Sequence, residues 1–371
     1  LRSLKSDWLT QGPKIQEFEK TLADYCGAKY AIAVCNGTAA LHLANLALGT
    51  KSEIKVITTP ITFLATANSI LYAGGDPIFS DISQGTFNIN SKGLFKTLDS
   101  NHNVKGIIPV HLGGVVCDMD AIKDFADKNK LWIIEDACHA FGGKWMDKKG
   151  NIQKVGNCSH SDMTTFSFHP VKHITTGEGG VITTNNKKLY EKLLLLRTHG
   201  MTKDSKKLNQ NHGDWYYEMQ TLGYNYRITD LQAALGLEQI KKSDKWVKLR
   251  RELVSNYDYA FRNFEEFSFQ KHPDTDGSYS YHLYIIQCAK RKELYQFLND
   301  NGVNTQVHYI PVHLQPYYKL RYGYKKNSFP QAENYYKHAL SLPLYPTLSF
   351  SDQKKVISLI DKFYANSRIH S

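Results

Sequence analysis

The chain has 371 residues, 42% of them apolar, a net charge of +11 and 15 histidines, which allows a large core and two lobes. Its six cysteines are scattered without a CxxC pair, no stretch reaches membrane-span length, and Leu1 to Trp8 lacks an apolar signal core, so a soluble, cytoplasmic protein with reduced thiols is expected. The basic residues are spread rather than gathered in a stripe, which favours small anionic ligands over nucleic acid.

Pro13 to Cys26 has apolar residues at helical spacing (Ile15, Phe18, Leu22, Tyr25), with Pro13 in the first turn. Lys29 to Cys35 reads as a buried strand that runs into Asn36-Gly37-Thr38 and the helix AALHLANLAL. A strand, a turn and a helix N-terminus in that order present N–H groups to an anion, although an ordinary βα turn has the same pattern. Alternation continues through strand Ile54–Thr58, helix Phe63–Tyr72, strand Pro77–Ser80, helix Lys92–Leu98, strand Val104–Val110, helix Asp120–Lys128 and strand Leu131–Ile134. Such alternation predicts an α/β fold with a mostly parallel sheet covered on both faces. Ligands of such sheets bind beyond the carboxyl ends of the strands, where Thr38, Phe63, Asp136 and His139 fall.

The strand LWII leads into Glu135-Asp136-Ala137-Cys138-His139. A buried carboxylate there needs a cation, and a protonated pyridine nitrogen would be one; a turn-capping aspartate is the plainer alternative. Cys158 and His160 have no further ligands at suitable spacing, so no metal site is expected. The stretch TFSFHPVKHITTGEGG, Thr165 to Gly180, places Ser167 and Lys172 after a β-rich run. Pro170, the β-branched Ile174-Thr175-Thr176 and three glycines forbid a helix. A lysine at a strand mouth among hydroxyls suits a Schiff-base nucleophile beside a phosphate, although most lysines are solvated surface residues.

Lys187–Leu196 is expected to be a helix, Thr202–Asp214 a polar loop, and Leu222–Thr229 irregular, with Asp230 capping the helix LQAALGLEQI. A long helix over Lys242–Phe264 then leads into a smaller α+β lobe. There, strands at His282–Gln287 and Thr305–Val307 accompany helices at Lys292–Asp300, Gln331–Ala339 and Asp352–Tyr364.

Taken together, WLTQGP, NGTAALHLA, PITFLATAN, PVHLGG, IEDACHAFGG, FSFHPVKHITTGEGG, RTHGM, GYNYRITDLQAALG and VHYIPVHLQPYY resemble the DegT/StrS-type nucleotide-sugar aminotransferases, in order, from about Trp8 to the carboxyl end. The resemblance implies an aspartate-aminotransferase (fold type I) large domain over 1–245, a small domain over 246–371, and pyridoxal 5'-phosphate as cofactor. Within the family, FSFHPVKHITTGEGG is most similar to enzymes that aminate C4 of UDP-4-keto-6-deoxy-N-acetylhexosamines, as in pseudaminic-acid biosynthesis. L-glutamate is the amino donor that the resemblance implies. By motif position it makes Lys172 the Schiff-base lysine, Asp136 the partner of the pyridine nitrogen and Phe63 the aromatic stacked on the ring. Thr38, Ala39 and Ser167 become phosphate contacts, and His139 the neighbour of the phenolic oxygen. Asn225 becomes a contact from the second subunit of a homodimer, and His308 and Tyr309 face the sugar nucleotide. Family members carry a longer segment before WLTQGP, so no contact from it is assigned. Three alternatives stay open: C3 amination of a dTDP-3-keto sugar, a relative that dehydrates or deoxygenates the sugar, and a catalytically silent sugar-nucleotide binder. In the second of these a histidine replaces the lysine, and His173 stands beside Lys172.

Overall fold

The structure is a computed structural model that describes residues 3–210, 212–272 and 279–369. Its first half alternates helix and strand: α1 (Pro13–Cys26), β1 (Tyr30–Val34), α2 (Gly37–Ala47), β2 (Lys55–Thr58), α3 (Leu64–Tyr72), β3 (Asp76–Phe79), α4 (Leu94–Asp99), β4 (Val104–Ile108), α5 (Met119–Asn129) and β5 (Trp132–Asp136). A hairpin of β6 (Lys144–Met146) and β7 (Ile152–Lys154) follows, then β8 (Met163–Ser167), β9 (Gly180–Thr184) and α6 (Lys187–Arg197). The short pair β10 (Met201–Thr202) and β11 (Glu218–Met219) precedes α7 (Asp230–Ile240) and α8 (Ser243–Phe261). The last part holds β12 (Phe267–Phe269), β13 (Tyr284–Cys288), α9 (Arg291–Asp300), α10 (Pro316–Tyr322), α11 (Pro330–His338), β14 (Ala339–Leu342) and α12 (Phe350–Ile369).

Seven strands form one sheet in the order β1-β9-β8-β5-β4-β2-β3. Only β9 opposes the others, pairing antiparallel with both β1 and β8, so six strands share one direction. Along most strands the apolar residues alternate between two cores. Ala31, Ala33, Ile133, Phe166 and Val181 face one side with α1 and α5; Ile32, Val34, Ile134, Met163 and Ile182 face the other with α2 and α6. Burial on both faces is what those continuous hydrophobic strands require. A separate core, with buried members running from Leu253 to Tyr364, fills the three-stranded antiparallel sheet β12-β13-β14 and its helices. No helix among the described residues is long and apolar enough to cross a membrane.

Several elements differ from the sequence expectation. Thr229, not Asp230, caps α7, through a capping box with Gln232. The buried Asp230 carboxylate instead reaches the start of α1 and accepts from the N–H groups of Gly12, Lys14 and Ile15 at 3.0–3.2 Å. The expected strand Thr305–Val307 reduces to a single bridge, Gln306 to Ser341. The long helix is α8, shortened to Ser243–Phe261, and Lys92–Leu98 divides into a 3-10 turn and α4.

Candidate active site

The strands that share a direction end on one edge of the sheet, and the predicted residues gather there. Thr38 follows β1, Phe63 precedes α3, Asp136 closes β5 and Ser167 closes β8. They line a cavity of about 460 Å³, a size suited to a cofactor and part of a substrate.

Lys172 reaches this cavity from the excursion between β8 and β9. The neck is pinned where Phe168 donates its N–H to the Gly179 carbonyl (2.8 Å) and accepts at its own carbonyl from the Thr176 N–H (3.0 Å). Gly177, at φ +80°, supplies the left-handed turn that closes it. Lys172 donates its backbone N–H to the His169 carbonyl (2.9 Å), and its side chain projects to the cavity wall. Burial lowers its pKa, with Cys138 and Asp136 acting in the opposite sense, which brings the neutral amine closer than in a solvated lysine.

Asp136 is 5% exposed. Its Oδ2 accepts from the Thr66 hydroxyl (2.6 Å), which in turn sits 2.7 Å from the Thr62 hydroxyl. Its Oδ1 accepts from the Cys138 N–H (3.2 Å). Among the described residues no basic side chain pairs with this carboxylate within 4.0 Å. A buried carboxylate held by neutral donors and facing a cavity calls for a cation from outside the chain.

At the other end, α2 begins against Ser167: a Cβ on Gly37 would lie 2.9 Å from Ser167 Cβ. Asn36 caps the helix by accepting from the Ala39 N–H (2.8 Å). Ala39 is thus committed to the cap and is absent from the cavity wall, whereas the first-turn N–H groups of Gly37 and Thr38 have no intrahelical acceptor. These groups, with the hydroxyls of Thr38 and Ser167 and the positive helix end, form an anion cradle. Phe63 is 59% exposed, its ring 6.0 Å from that of Tyr309 and tilted 55° to it, so much of its surface is open to a planar ligand.

The remaining wall is rich in histidine. His139, His282 and His308 line it, and His173 lies behind, its ring 5.6 Å from that of His282. Burial holds all four below the ordinary imidazole pKa, His308 at about 4, and the charge of Lys172 adds to the effect at each. His139 Nε2 lies 3.0 Å from the Tyr309 hydroxyl, and His308 Nδ1 lies 2.9 Å from the Ser341 hydroxyl.

Thr38, Phe63, Asp136, His139, Ser167, Lys172, His308 and Tyr309 thus converge, whereas Ala39 and Asn225 do not reach the cavity of this chain. Asn225 is exposed and bridges to Thr198. Sequence reasoning missed Thr66, Cys138 and His282. The spacing of Thr62 and Thr66, four apart at the start of α3, was a usable signal for the first; nothing local marked His282. A larger depression of about 630 Å³ beside α1, β1 and α6 holds none of the expected residues, and its Arg197 guanidinium is already paired with Glu19.

The donor set fits pyridoxal phosphate: a cradle for the phosphate, an unpaired buried carboxylate for the pyridine nitrogen, an exposed aromatic face and a neutralisable lysine between them. A model of the DegT/DnrJ/EryC1/StrS aminotransferase family matches residues 1–361. The chain is 42% identical over 365 residues to the spore coat polysaccharide biosynthesis protein SpsC of Bacillus subtilis strain 168, covering 96% of this chain and 91% of that one. It is 41% identical over 361 residues to a UDP-4-amino-4,6-dideoxy-N-acetyl-beta-L-altrosamine transaminase of Campylobacter jejuni, with the same two coverages of 96% and 91%. Among solved structures, Helicobacter pylori PseC, an aminotransferase involved in the biosynthesis of pseudoaminic acid, matches with a TM-score of 0.89 at 30% identity. That match covers 98% of this chain and 95% of PseC.

Proposed function

The chain belongs to the DegT/DnrJ/EryC1/StrS aminotransferase family of pyridoxal-phosphate-dependent sugar aminotransferases, and on that premise we propose that it aminates C4 of a UDP-linked 4-keto-6-deoxy-N-acetylhexosamine with L-glutamate as donor. The likeness to the Campylobacter jejuni transaminase over nearly the whole chain carries the choice of substrate. The donor loses its amino group and becomes the 2-oxo acid, while the sugar carbonyl becomes an amine, so the exchange needs no external oxidant.

When bound, pyridoxal phosphate supplies the electron sink for this chemistry. Lys172 would anchor it and, once its amine is free and neutral, would take the proton from the donor carbon. Asp136 holds the proton on the pyridine nitrogen, and the Thr66 hydroxyl orients the carboxylate. Gly37, Thr38 and Ser167 hold the phosphate, and Phe63 covers one ring face. His308 and Tyr309 contact the substrate. Asn225, remote from its own cavity, serves the site of a second copy in a homodimer. Its exposure supports that reading.

Glutamate-dependent amination measured against UDP-4-keto-6-deoxy-N-acetylhexosamines and a dTDP-3-keto sugar tests the assignment. Turnover on the UDP sugars with release of 2-oxoglutarate is expected. A preference for the dTDP-3-keto sugar would overturn the substrate, and no turnover on any of them would overturn the activity.

A further inference from the structure

His139 stands where the phenolic oxygen of the cofactor was expected to find a partner, yet both of its ring nitrogens are in use. The Gly113 N–H donates to Nδ1 at 3.3 Å, and Nε2 lies 3.0 Å from the Tyr309 oxygen. A nitrogen that accepts a hydrogen carries none, so the single proton of the neutral ring is on Nε2 and points at Tyr309. Burial keeps that ring neutral. The Tyr309 oxygen therefore accepts from His139, and its own hydrogen must be aimed elsewhere. The hydroxyl has no other partner among the described residues, and the residue lines the cavity. Burial also raises the phenol pKa, so the hydrogen is retained at neutral pH.

We infer that the Tyr309 hydroxyl, oriented by the Gly113–His139 relay, is a hydrogen-bond donor to an anionic oxygen at the reacting end of this cavity, beside His139 and Asp136, rather than to a phosphate. Tyr309 is then the group in contact with ligand and His139 a positioning residue behind it. The inference rests on the cofactor assignment proposed above. Two oxygens share the required chemistry: the phenolate of pyridoxal phosphate and a carboxylate of the amino donor.

The test compares Tyr309→Phe, His139→Leu and His139→Gln as full-length protein loaded with pyridoxal phosphate. The visible absorbance is titrated with pH in the absence of substrate, and L-glutamate is then titrated to find its half-saturating concentration for the spectral change. A donor to the phenolate stabilises the deprotonated form, so its loss in Tyr309→Phe moves the midpoint up by about one pH unit or more. A donor to the carboxylate leaves the midpoint in place and raises the half-saturating glutamate about tenfold or more. Either result supports the inference. His139→Leu should move the same quantity in the same direction. His139→Gln, whose amide offers one acceptor and one donor, should restore it, which a merely structural role for His139 does not predict. A Tyr309→Phe protein with both quantities unchanged overturns the inference while leaving the cofactor assignment intact. Failure of the unaltered protein to develop a visible band with pyridoxal phosphate overturns both.

Discussion

At Asp136, the proposed role and a simple turn cap make opposite demands. Asparagine preserves the size and part of the bonding to Thr66 and Cys138 but removes the charge that would hold a pyridine nitrogen protonated. Asp136→Asn should still take up cofactor, while its single turnover with glutamate, normalised to bound cofactor, slows by on the order of 10²-fold. That corresponds to roughly 3 kcal/mol of transition-state stabilisation; an unchanged rate would reduce Asp136 to a cap. Lys172→Ala should keep some cofactor through the cradle at Gly37, Thr38 and Ser167 yet lose turnover, read by gel filtration of the loaded protein and by assay. Strand, glycine and charge patterns marked Lys172 and Asp136 as candidates, and both line the cavity; the roles proposed for them come from the motif resemblance, since locally a surface lysine and a turn cap fit as well. Ala39 does not line the cavity, because motif position says nothing about which N–H a cap consumes and here Asn36 takes it. For Thr66 the only signal is its spacing from Thr62, and a hydroxyl in a helix points to no particular partner until Asp136 is seen beside it.

The helices and central strands follow from periodicity that the sequence displays openly. The elements that did not were the short helix α10 and short strands, some with partners far away. β9 pairs with both β1 and β8, and β14 with β13, through registers that no local pattern reveals. Asp230 is the clearest case: it sits where a cap is expected, yet its carboxylate serves another helix 215 or more residues away in sequence. Because three N–H groups lose an ionised acceptor together, Asp230→Ala should destabilise the fold by about 2–3 kcal/mol. Thr229→Ala, which breaks the local capping box, should cost about 1 kcal/mol. Urea unfolding of the two variants reads the difference; equal losses would mean that Asp230 acts only within α7.

Across the whole molecule, the cores suggest a division that we propose lies near residue 245, where α8 leaves the seven-stranded sheet for the second core. The proposed dimer adds a requirement that one chain cannot meet. Asn225→Ala should weaken phosphate-dependent cofactor binding about tenfold without altering the fold, and sedimentation of the active protein should give a dimer; an active monomer would contradict this. The buried histidines set a pH dependence as well. His139, His173, His282 and His308 are held below the ordinary value, so the unfolded chain takes up protons first as the pH falls. Stability is therefore full above about pH 6.5 and is lost on acidification, by up to about 1.4 kcal/mol per pH unit for each histidine. For His308 the loss levels off near pH 4. Urea midpoints at pH 7.5, 6 and 5 should decline in that order, and a flat series would mean that these rings take up protons as readily in the folded protein as in the unfolded chain.

The central claim is that one lysine carries the cofactor. Reducing the pyridoxal-phosphate-loaded protein with borohydride, digesting it and mapping the modified peptide by mass spectrometry tests this most directly. The account predicts a phosphopyridoxyl group on Lys172, and modification at any other lysine, with Lys172 untouched, would contradict it.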